Sequence, residues 1–279
     1  MRSTFLSTPH FWVLLICLFA SGIGESQAVT IFPTRVVMTD KEKTAQVEII
    51  NSGTETESYS IQLERKRMTE TGEFQAITGD ALPGELFADQ IVRYSPRRVT
   101  LAPGAGQTVR LMLKMPSGLT EGEYRSHLSV NHIPAASTLL PPDKQQKDPK
   151  DISIKLTAYA NVAIPVIVRH GNLNAQLEIK DVVLRPGKGK EPPVVEFTLH
   201  RTGSMSVYGD IAVTAVSVNG KAEQIAAVNG VAVYVPNPIR KSRITIRTKD
   251  SLPAKGALRV TFSGQGASKP MAEASISIP

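Results

Sequence analysis

The chain after residue 28 contains no cysteine, because the single cysteine of the 279 residues is Cys17. This excludes disulfides, thiol catalysis and zinc–thiolate sites from that part of the protein. Aromatic residues are only 5% of the chain and the basic residues are scattered, so the net charge of +7 does not indicate a nucleic-acid surface. A partner that carries a carboxylate or an acidic face fits this charge better.

The first 28 residues have the three zones of a secretory signal peptide. A basic start at Arg2 is followed by an apolar run over residues 11–20 and by a polar tail that ends in Ser26-Gln27-Ala28. The apolar run is about half of the ~20 residues that a membrane span needs. We therefore expect cleavage after Ala28 and secretion without membrane insertion, since no later segment is long and apolar enough to span a bilayer.

Short alternating strands separated by turns fill the rest of the sequence. Period-two alternation is clearest in residues 59–64, 109–114 and 213–218, and the last of these has an irregularity consistent with a bulge. The turn signals are Asn51-Ser52-Gly53, Thr71-Gly72, Pro103-Gly104, Asn219-Gly220 and Asn229-Gly230. The two Asn-Gly pairs lie between apolar runs, which is the strongest short-range signal of a hairpin. No apolar face with helical spacing is present, so the sequence predicts an all-β fold of sandwich type.

The strand-rich part is longer than one sandwich of ~100 residues. We expect a boundary near His170, which gives a signal peptide at 1–28, an N-terminal domain at 29–169 and a C-terminal domain at 170–279. Residues 134–150 contain four prolines, many charges and no periodicity. A loop of this length within a compact domain is usually functional or disordered.

The segment that follows this loop, residues 151–169, alternates over an unusual length. Every second residue is apolar: Ile152, Ile154, Leu156, Ala158, Ala160, Val162, Ile164, Val166 and Val168. A typical strand has 5–6 residues, so this run is about three times as long. One interpretation is a single strand that lines its own core, and we expect this for Val162–Val168. The other is that Ile152–Ala160 is an edge strand whose apolar face belongs to another protein, because exposed apolar edges are otherwise avoided. The pattern alone leaves both open.

A series of short motifs runs along the chain after residue 28: IFPTRV at 31–36, AQVEIINSG at 45–53, YSPRRVTLAPG at 94–104, QTVRL at 107–111, EYRSHLSV at 123–130 with Ile133-Pro134, and LHRTG at 199–203 through Tyr208. In these motifs and their order, the sequence resembles the PapD-like periplasmic pilus chaperones over nearly all of the chain after residue 28, and the last motif resembles the family less closely. Each motif is weak by itself. Their co-linear series after a signal peptide is specific.

The resemblance implies two immunoglobulin-like β-sandwich domains in a boomerang arrangement, a periplasmic location and no cofactor or ATP. It implies a mechanism called donor-strand complementation, in which the chaperone inserts a β-strand into the open groove of a pilus subunit and later delivers that subunit through an outer-membrane usher. The matching donor-strand residues are Ile152, Ile154, Leu156, Ala158 and Ala160. We expect the first three to anchor the subunit, because burying an Ile or Leu contributes ~1.5–3 kcal/mol and an Ala much less. Whether the free protein caps this strand by dimerising stays open.

The family also fixes the subunit's terminal carboxylate with two basic residues between its domains. Arg35 matches the first, and an arginine can bind a carboxylate through two hydrogen bonds. The second falls on Pro165, which departs from the family. Either Arg169 or Arg98 assists Arg35, or the subunit is anchored differently. Pro165 also lacks a backbone N–H, so we expect an edge or a bulge there.

An enzymatic function is disfavoured by the sequence. The histidines at 127, 132, 170 and 200 lack metal-ligand spacing, and the adjacent Ser126 and His127 would point to opposite faces of a strand. We therefore expect neither metal nor catalytic residues. The main alternative to a chaperone is a secreted immunoglobulin-like structural subunit or adhesin component, which would receive a strand and not donate one.

Overall fold

The computed structural model describes residues 29–134, 161–187, 189, 191–247 and 255–278. These residues form eighteen strands and one short 3₁₀ helix, Ala88–Gln90. The all-β prediction is confirmed. Within the described ranges, no helix has the length and hydropathy of a bilayer-spanning segment.

The N-terminal half of the chain forms a sandwich of two sheets. One sheet has the order β1-β3-β9-β7 and the other has the order β2-β11-β10-β4-β8. The strands are β1 (Val29–Phe32), β2 (Val36–Thr39), β3 (Thr44–Asn51), β4 (Glu57–Glu64), β7 (Val92–Ser95), β8 (Arg98–Leu101), β9 (Gly106–Leu113), β10 (Gly122–Ile133) and β11 (Val162–His170). A separate hairpin of β5 (Lys66–Met68) and β6 (Phe74–Ala76) follows β4.

Alternating burial explains why these segments are strands. In β9, for example, Val109, Leu111 and Leu113 are buried and the residues between them are exposed. Side chains of a strand point alternately to its two faces, so this pattern places one face of each sheet on a shared core. Val47 and Leu128, from opposite sheets, are completely buried in that core.

The C-terminal half forms a second sandwich, with sheets of order β12-β13-β16 and β15-β14-β17-β18. Its strands are β12 (Ala175–Arg185), β13 (Val194–Gly203), β14 (Val207–Ser217), β15 (Ala222–Val233), β16 (Ile239–Thr245), β17 (Gly256–Gly264) and β18 (Ala272–Ile278). Leu199, Val213, Leu258 and Phe262 are completely buried between the two sheets. Two immunoglobulin-like sandwiches are therefore present, as predicted.

The turn predictions succeed at four of the five positions. The loops at Asn51, Thr71-Gly72, Pro103-Gly104 and Asn219-Gly220 each lie between consecutive strands. Asn229-Gly230 is the exception, because it lies inside β15. There Asn229 and Gly230 oppose the single residue Asp210 of β14, which is the arrangement of a β-bulge. Gly230 has φ 72°, a left-handed conformation that favours glycine, and its N–H donates to the Asp210 carboxylate over 2.9 Å.

The bulge expected in residues 213–218 is not found in β14, which pairs with β17 in continuous register. The register shift towards β15 between Val213 and Thr214 comes from one extra residue of β15, Ile225. The expectation at Pro165 agrees with the structure. Pro165 pairs with His127 of β10 without a register shift, and the ladder between β11 and β2 begins only at Val166. Among the described residues, the β2 side of β11 is thus unpaired at Pro165. This is the edge position where a residue without an N–H can lie.

The chain passes from the first sandwich to the second between β11, which ends at His170, and β12, which begins at Ala175. The domain limits of 29–169 and 170–279 stay a prediction. The two cores are not strictly divided at this point, since Met68 and Ile167 pack in the core of the second sandwich.

Candidate functional site

Strand β11 is buried on both of its faces. Val162, Ile164, Val166 and Val168 pack on the core of the first sandwich, as the sequence predicts. Ile167, between them, is completely buried against the second sandwich. Because side chains alternate along a strand, one segment of chain contributes to two cores. The position where β11 meets the second sandwich is the centre of the candidate site.

The donor-strand residues lie upstream of β11 and outside the described residues. These are Ile152, Ile154, Leu156, Ala158 and Ala160. The same holds for the signal peptide at 1–28 and for all of the proline-rich loop except Pro134. Their roles remain predictions from sequence.

Arg35 lies directly before β2, at the junction of the two sandwiches. Its guanidinium carbon lies 4.5 Å from the ring centroid of Tyr208 in β14, a cation–π distance. Burial lowers the pKa of Arg35, and the neighbouring Arg169 lowers it further, while Tyr234 and Glu123 oppose this change. Its Nε and Nη2 are buried and have no hydrogen-bond partner among the described residues. This side of a guanidinium has the geometry to bind a carboxylate through two bonds. Because both atoms are buried here, a ligand reaches them only after the groups that cover them move.

Arg169 lies close to Arg35 but already binds a carboxylate. Its Nε donates to Glu123 Oε2 over 3.0 Å, and its Nη2 donates to the Ser206 carbonyl over 3.3 Å. The Glu123 side chain is 1% exposed and also accepts hydrogen bonds from the Ser206 backbone N–H at 3.1 Å and from the Ser206 hydroxyl. Since Glu123 belongs to β10 and Ser206 to the second half of the chain, this group connects the two sandwiches.

Arg98 does not lie near Arg35, and its candidacy as the second cation is corrected by the structure. It is exposed on β8, at the opposite edge of the five-stranded sheet from β2. Three strands separate these edges, which at ~4.8 Å for each of four steps amounts to roughly 19 Å. Of the two alternatives for assisting Arg35, only Arg169 is nearby.

A second group of side chains extends the junction behind Glu123. The Arg125 guanidinium carbon lies 4.6 Å from the ring centroid of Tyr234 and 5.8 Å from that of Phe74. Burial lowers the pKa of Arg125 and raises that of Tyr234. His127 packs edge-on against Phe74, with 4.6 Å between the ring centroids. Burial lowers the pKa of His127 to about 3, and the Arg125 charge adds to this effect, so the imidazole is neutral at physiological pH.

Ser126 and His127 do not form a hydrogen-bonded pair in the structure. Ser126 donates to Asp89 over 3.0 Å, whereas both ring nitrogens of the adjacent His127 are buried without a described partner. Within the described ranges no three His, Cys, Asp or Glu residues are grouped so that they could hold a metal ion.

The sequence suggested Arg35 and Arg169 as candidate site residues but did not place Glu123, Ser206 or Tyr234 beside them. Glu123 and Ser206 are 83 positions apart in the chain, and no local spacing joins them. One indication was present in the sequence. Glu123 stands near the start of a predicted strand, and a carboxylate that is buried within a strand needs a hydrogen-bonding or charged partner.

No protein-family model and no curated protein matches the chain. Similar solved structures include a chaperone–tip adhesin complex of CFA/I fimbriae biogenesis, with 13% identity and a TM-score of 0.44 over 90% of this chain and 98% of that one. The CsuC–CsuE chaperone–tip adhesion subunit complex of Acinetobacter baumannii has 13% identity and a TM-score of 0.45 over 90% and 97%. The CupB2 chaperone of Pseudomonas aeruginosa has 12% identity and a TM-score of 0.42 over 89% and 98%. The chain is similar to pilus chaperones.

Proposed function

We propose that the protein is a periplasmic chaperone of pilus subunits, which it stabilises by donor-strand complementation and delivers to an outer-membrane usher. It acts by binding, without a cofactor. The N-terminal domain, residues 29–169, supplies the donated strand, and residues 170–279 form the second domain at the junction. The co-linear motifs in the sequence support this assignment, since they cover both halves of the chain.

The observation that carries the proposal is the phase of the alternation through β11. The four even-numbered residues from Val162 to Val168 pack on the first core. The even-numbered residues from Ile152 to Ala160 are apolar as well, and they continue the same period without interruption. Strand geometry gives them the same face if the strand is continued upstream. An apolar face that extends past its own core is what a subunit with an incomplete sandwich requires.

The junction supports a second contact, between Arg35 and the subunit's terminal carboxylate. The Nε and Nη2 of Arg35 have no described acceptor, and a buried guanidinium without one is costly. The charge of Arg169 is balanced by Glu123, so Arg35 supplies the uncompensated charge for the ligand. Arg169 then positions the site through Glu123 and Ser206 and does not replace the family's second cation.

The proposal is tested by a glutamate substitution in the donor strand. Leu156→Glu places a charge on the apolar face, and we expect the chaperone to fold but to lose nearly all of the co-purified subunit from periplasmic extracts. Burying an unpaired carboxylate is far more costly than the ~1.5–3 kcal/mol that the leucine contributes. The measurement is the amount of subunit recovered with the tagged chaperone.

Thr157→Glu is the matched control, since it adds the same charge at the next position, on the opposite face. We expect it to recover the subunit nearly as well as the unmodified protein. If Leu156→Glu also recovers it at the original level, this strand does not bind the subunit. Self-association of the purified chain into long polymers would instead indicate a structural subunit.

A further inference from the structure

On one side of the second sandwich, the edge strands of its two sheets leave an open margin, to which the proposed function assigns no role. Strands β15 and β16 are the edges of their respective sheets and lie on this margin. A cavity of about 610 Å³ lies beside them, lined also by residues of β12, β13 and β14. The apolar part of the lining consists of Val183, Phe197, Ile211, Val228, Val231 and Ile244. All of these except Val183 and Val228 are buried in the second core, so the cavity reaches the edge of that core.

The backbone of β16 has unused hydrogen-bonding groups on this side. The Lys241 N–H points away from β13, because it donates to the Glu70 carbonyl in the β5–β6 turn over 2.7 Å. Backbone groups alternate along an antiparallel strand, so those of Arg243 and Thr245 point to the same outer side. No backbone partner is present for them among the described residues. At Lys241, then, the outer edge of β16 already forms one backbone hydrogen bond with another segment of the chain.

One end of the margin is closed and the other is open. Arg240 crosses from β16 to β15 and donates from Nη1 to the Ala232 carbonyl over 2.8 Å. The β5–β6 turn covers it, and Gly72 makes this possible, since a Cβ there would lie 2.5 Å from the guanidinium carbon. Beyond Arg240, the hydroxyl of Ser242 lines the cavity and is buried with no partner among the described residues.

The excess of cationic residues in the cavity lining favours an acidic ligand. Four cationic residues, Arg185, Arg240, Lys241 and Arg243, line the cavity together with two anionic ones, Asp181 and Glu196. Glu196 pairs with Arg185 at 3.1 Å and lies 4.0 Å from Arg243, and Lys241 pairs with Glu70 at 2.7 Å. The lining still has two more cations than anions. Cationic side chains on an edge strand repel a second copy of the same edge, which is how proteins avoid edge-to-edge association. They attract a strand with carboxylates at the positions that flank them.

We propose that the β16 edge binds an extended, acidic segment of a partner protein by strand addition. The added strand pairs with the outward backbone groups of Arg243 and Thr245. Its alternate apolar side chains face the cavity beside Ile244, and its carboxylates lie on the outer face beside Lys241 and Arg243.

The experiment uses the full mature chain and the fluorescently labelled peptide Ac-Glu-Val-Glu-Val-Glu-Val-Glu-NH₂, with binding followed by anisotropy. We expect binding to weaken about tenfold in Arg243→Glu, which replaces an attractive cross-strand pair by a repulsive one. Arg259→Glu is the matched control, because Arg259 is an exposed cation of β17 in the other sheet, paired with Glu273 at 3.4 Å. It should bind the peptide as the unmodified protein does.

Two further peptides separate strand addition from ionic adsorption. A peptide with N-methylated backbone on its pairing side keeps the charges but cannot donate hydrogen bonds, and we expect it to bind about tenfold more weakly. Amide hydrogen exchange should show protection of Arg243 and Thr245 on binding of the unmodified peptide. Equal binding of the N-methylated peptide, equal binding of a lysine-for-glutamate peptide, or protection at the first sandwich alone would overturn the proposal.

Discussion

Arg35 and Arg169 are neighbours at the junction, but only Arg169 has a described carboxylate that balances its charge. Arg169 is bound to the buried carboxylate of Glu123, whereas Nε and Nη2 of Arg35 have no acceptor among the described residues. Removing a buried pair's partner is costly, because it leaves a charge uncompensated in a medium of low dielectric. Arg169 is therefore a structural residue, and Arg35 is the cation that a ligand can neutralise.

Arg35→Ala should weaken the binding of a peptide that carries the subunit's C-terminal sequence. A hydrogen bond to a charged group contributes ~1.5–3 kcal/mol, which is about a 10- to 150-fold loss of affinity. Calorimetric titration measures the effect. The Arg98→Ala control removes the same charge at the far edge of the sheet and should leave the affinity unchanged. A peptide with an amidated C-terminus should bind both forms equally, and an Arg35→Ala protein with unaltered affinity would remove Arg35 from the site.

His127 makes stability dependent on pH. Its pKa is lowered to about 3 by burial, whereas an unfolded histidine has a pKa near 6.5. The unfolded state therefore takes up a proton first as the pH falls, and the folded state loses stability below pH ~6.5 until its own pKa is reached. Between pH 7 and pH 5 the loss is on the order of 2 kcal/mol.

His127→Leu should remove this part of the pH dependence. The substitution breaks no hydrogen bond of the described residues, because both ring nitrogens of His127 lack a partner there. Leucine is also apolar and of similar size. The free energy of unfolding, measured with urea at pH 7 and pH 5, should change about 2 kcal/mol less in the variant than in the unmodified protein. The same pH dependence in both proteins would mean that His127 is accessible to protons in the folded state.

At the scale of elements, local patterns predicted the strands well and the contacts between them poorly. The alternation of β11 follows from side chains within a few residues, which a sequence displays directly. The bulge expected in residues 213–218 was wrongly placed, because the extra residue, Ile225, lies in the partner strand β15. Asn229-Gly230 was wrongly predicted as a hairpin turn because the same left-handed glycine is required by a turn and by a bulge. Only the partner strand distinguishes them, and that partner is not visible in a short window.

Residues of the candidate site could be predicted from the sequence only where a residue belongs to a recognisable local motif. Arg35 stands in a motif that resembles the family, so its position could be proposed before the structure. The acceptor of Arg169 could not, because Glu123 and Ser206 meet through a junction between two halves of the chain. The sequence showed that proline replaces a cation at position 165 and, because proline lacks a backbone N–H, predicted an edge or a bulge there. The β2 ladder starts only at Val166, so Pro165 is unpaired on that side.

For the molecule as a whole, the two sandwiches are connected through shared core residues. The β5–β6 hairpin belongs to the first half of the chain, yet Met68 is 2% exposed and packs in the second core. The Asn237 side chain donates to the Met68 carbonyl over 2.7 Å, and Lys241 pairs with Glu70 at 2.7 Å. The hairpin therefore contacts the second sandwich near β16. In the three-stranded sheet, β16 is the edge opposite β12, the strand with which the chain enters this sandwich.

Met68→Ala should destabilise the second sandwich although the residue lies in the first half of the chain. Replacing a buried methionine by alanine costs about 2–5 kcal/mol, through lost transfer energy and the cavity left behind. We expect differential scanning calorimetry to show a lower melting temperature for the second sandwich and a broader or divided transition. Met112→Ala is the control, because Met112 is 56% exposed on the first sandwich and its truncation leaves no cavity. If both variants melt like the unmodified protein, the hairpin does not couple the two cores, and the second sandwich is stable without it.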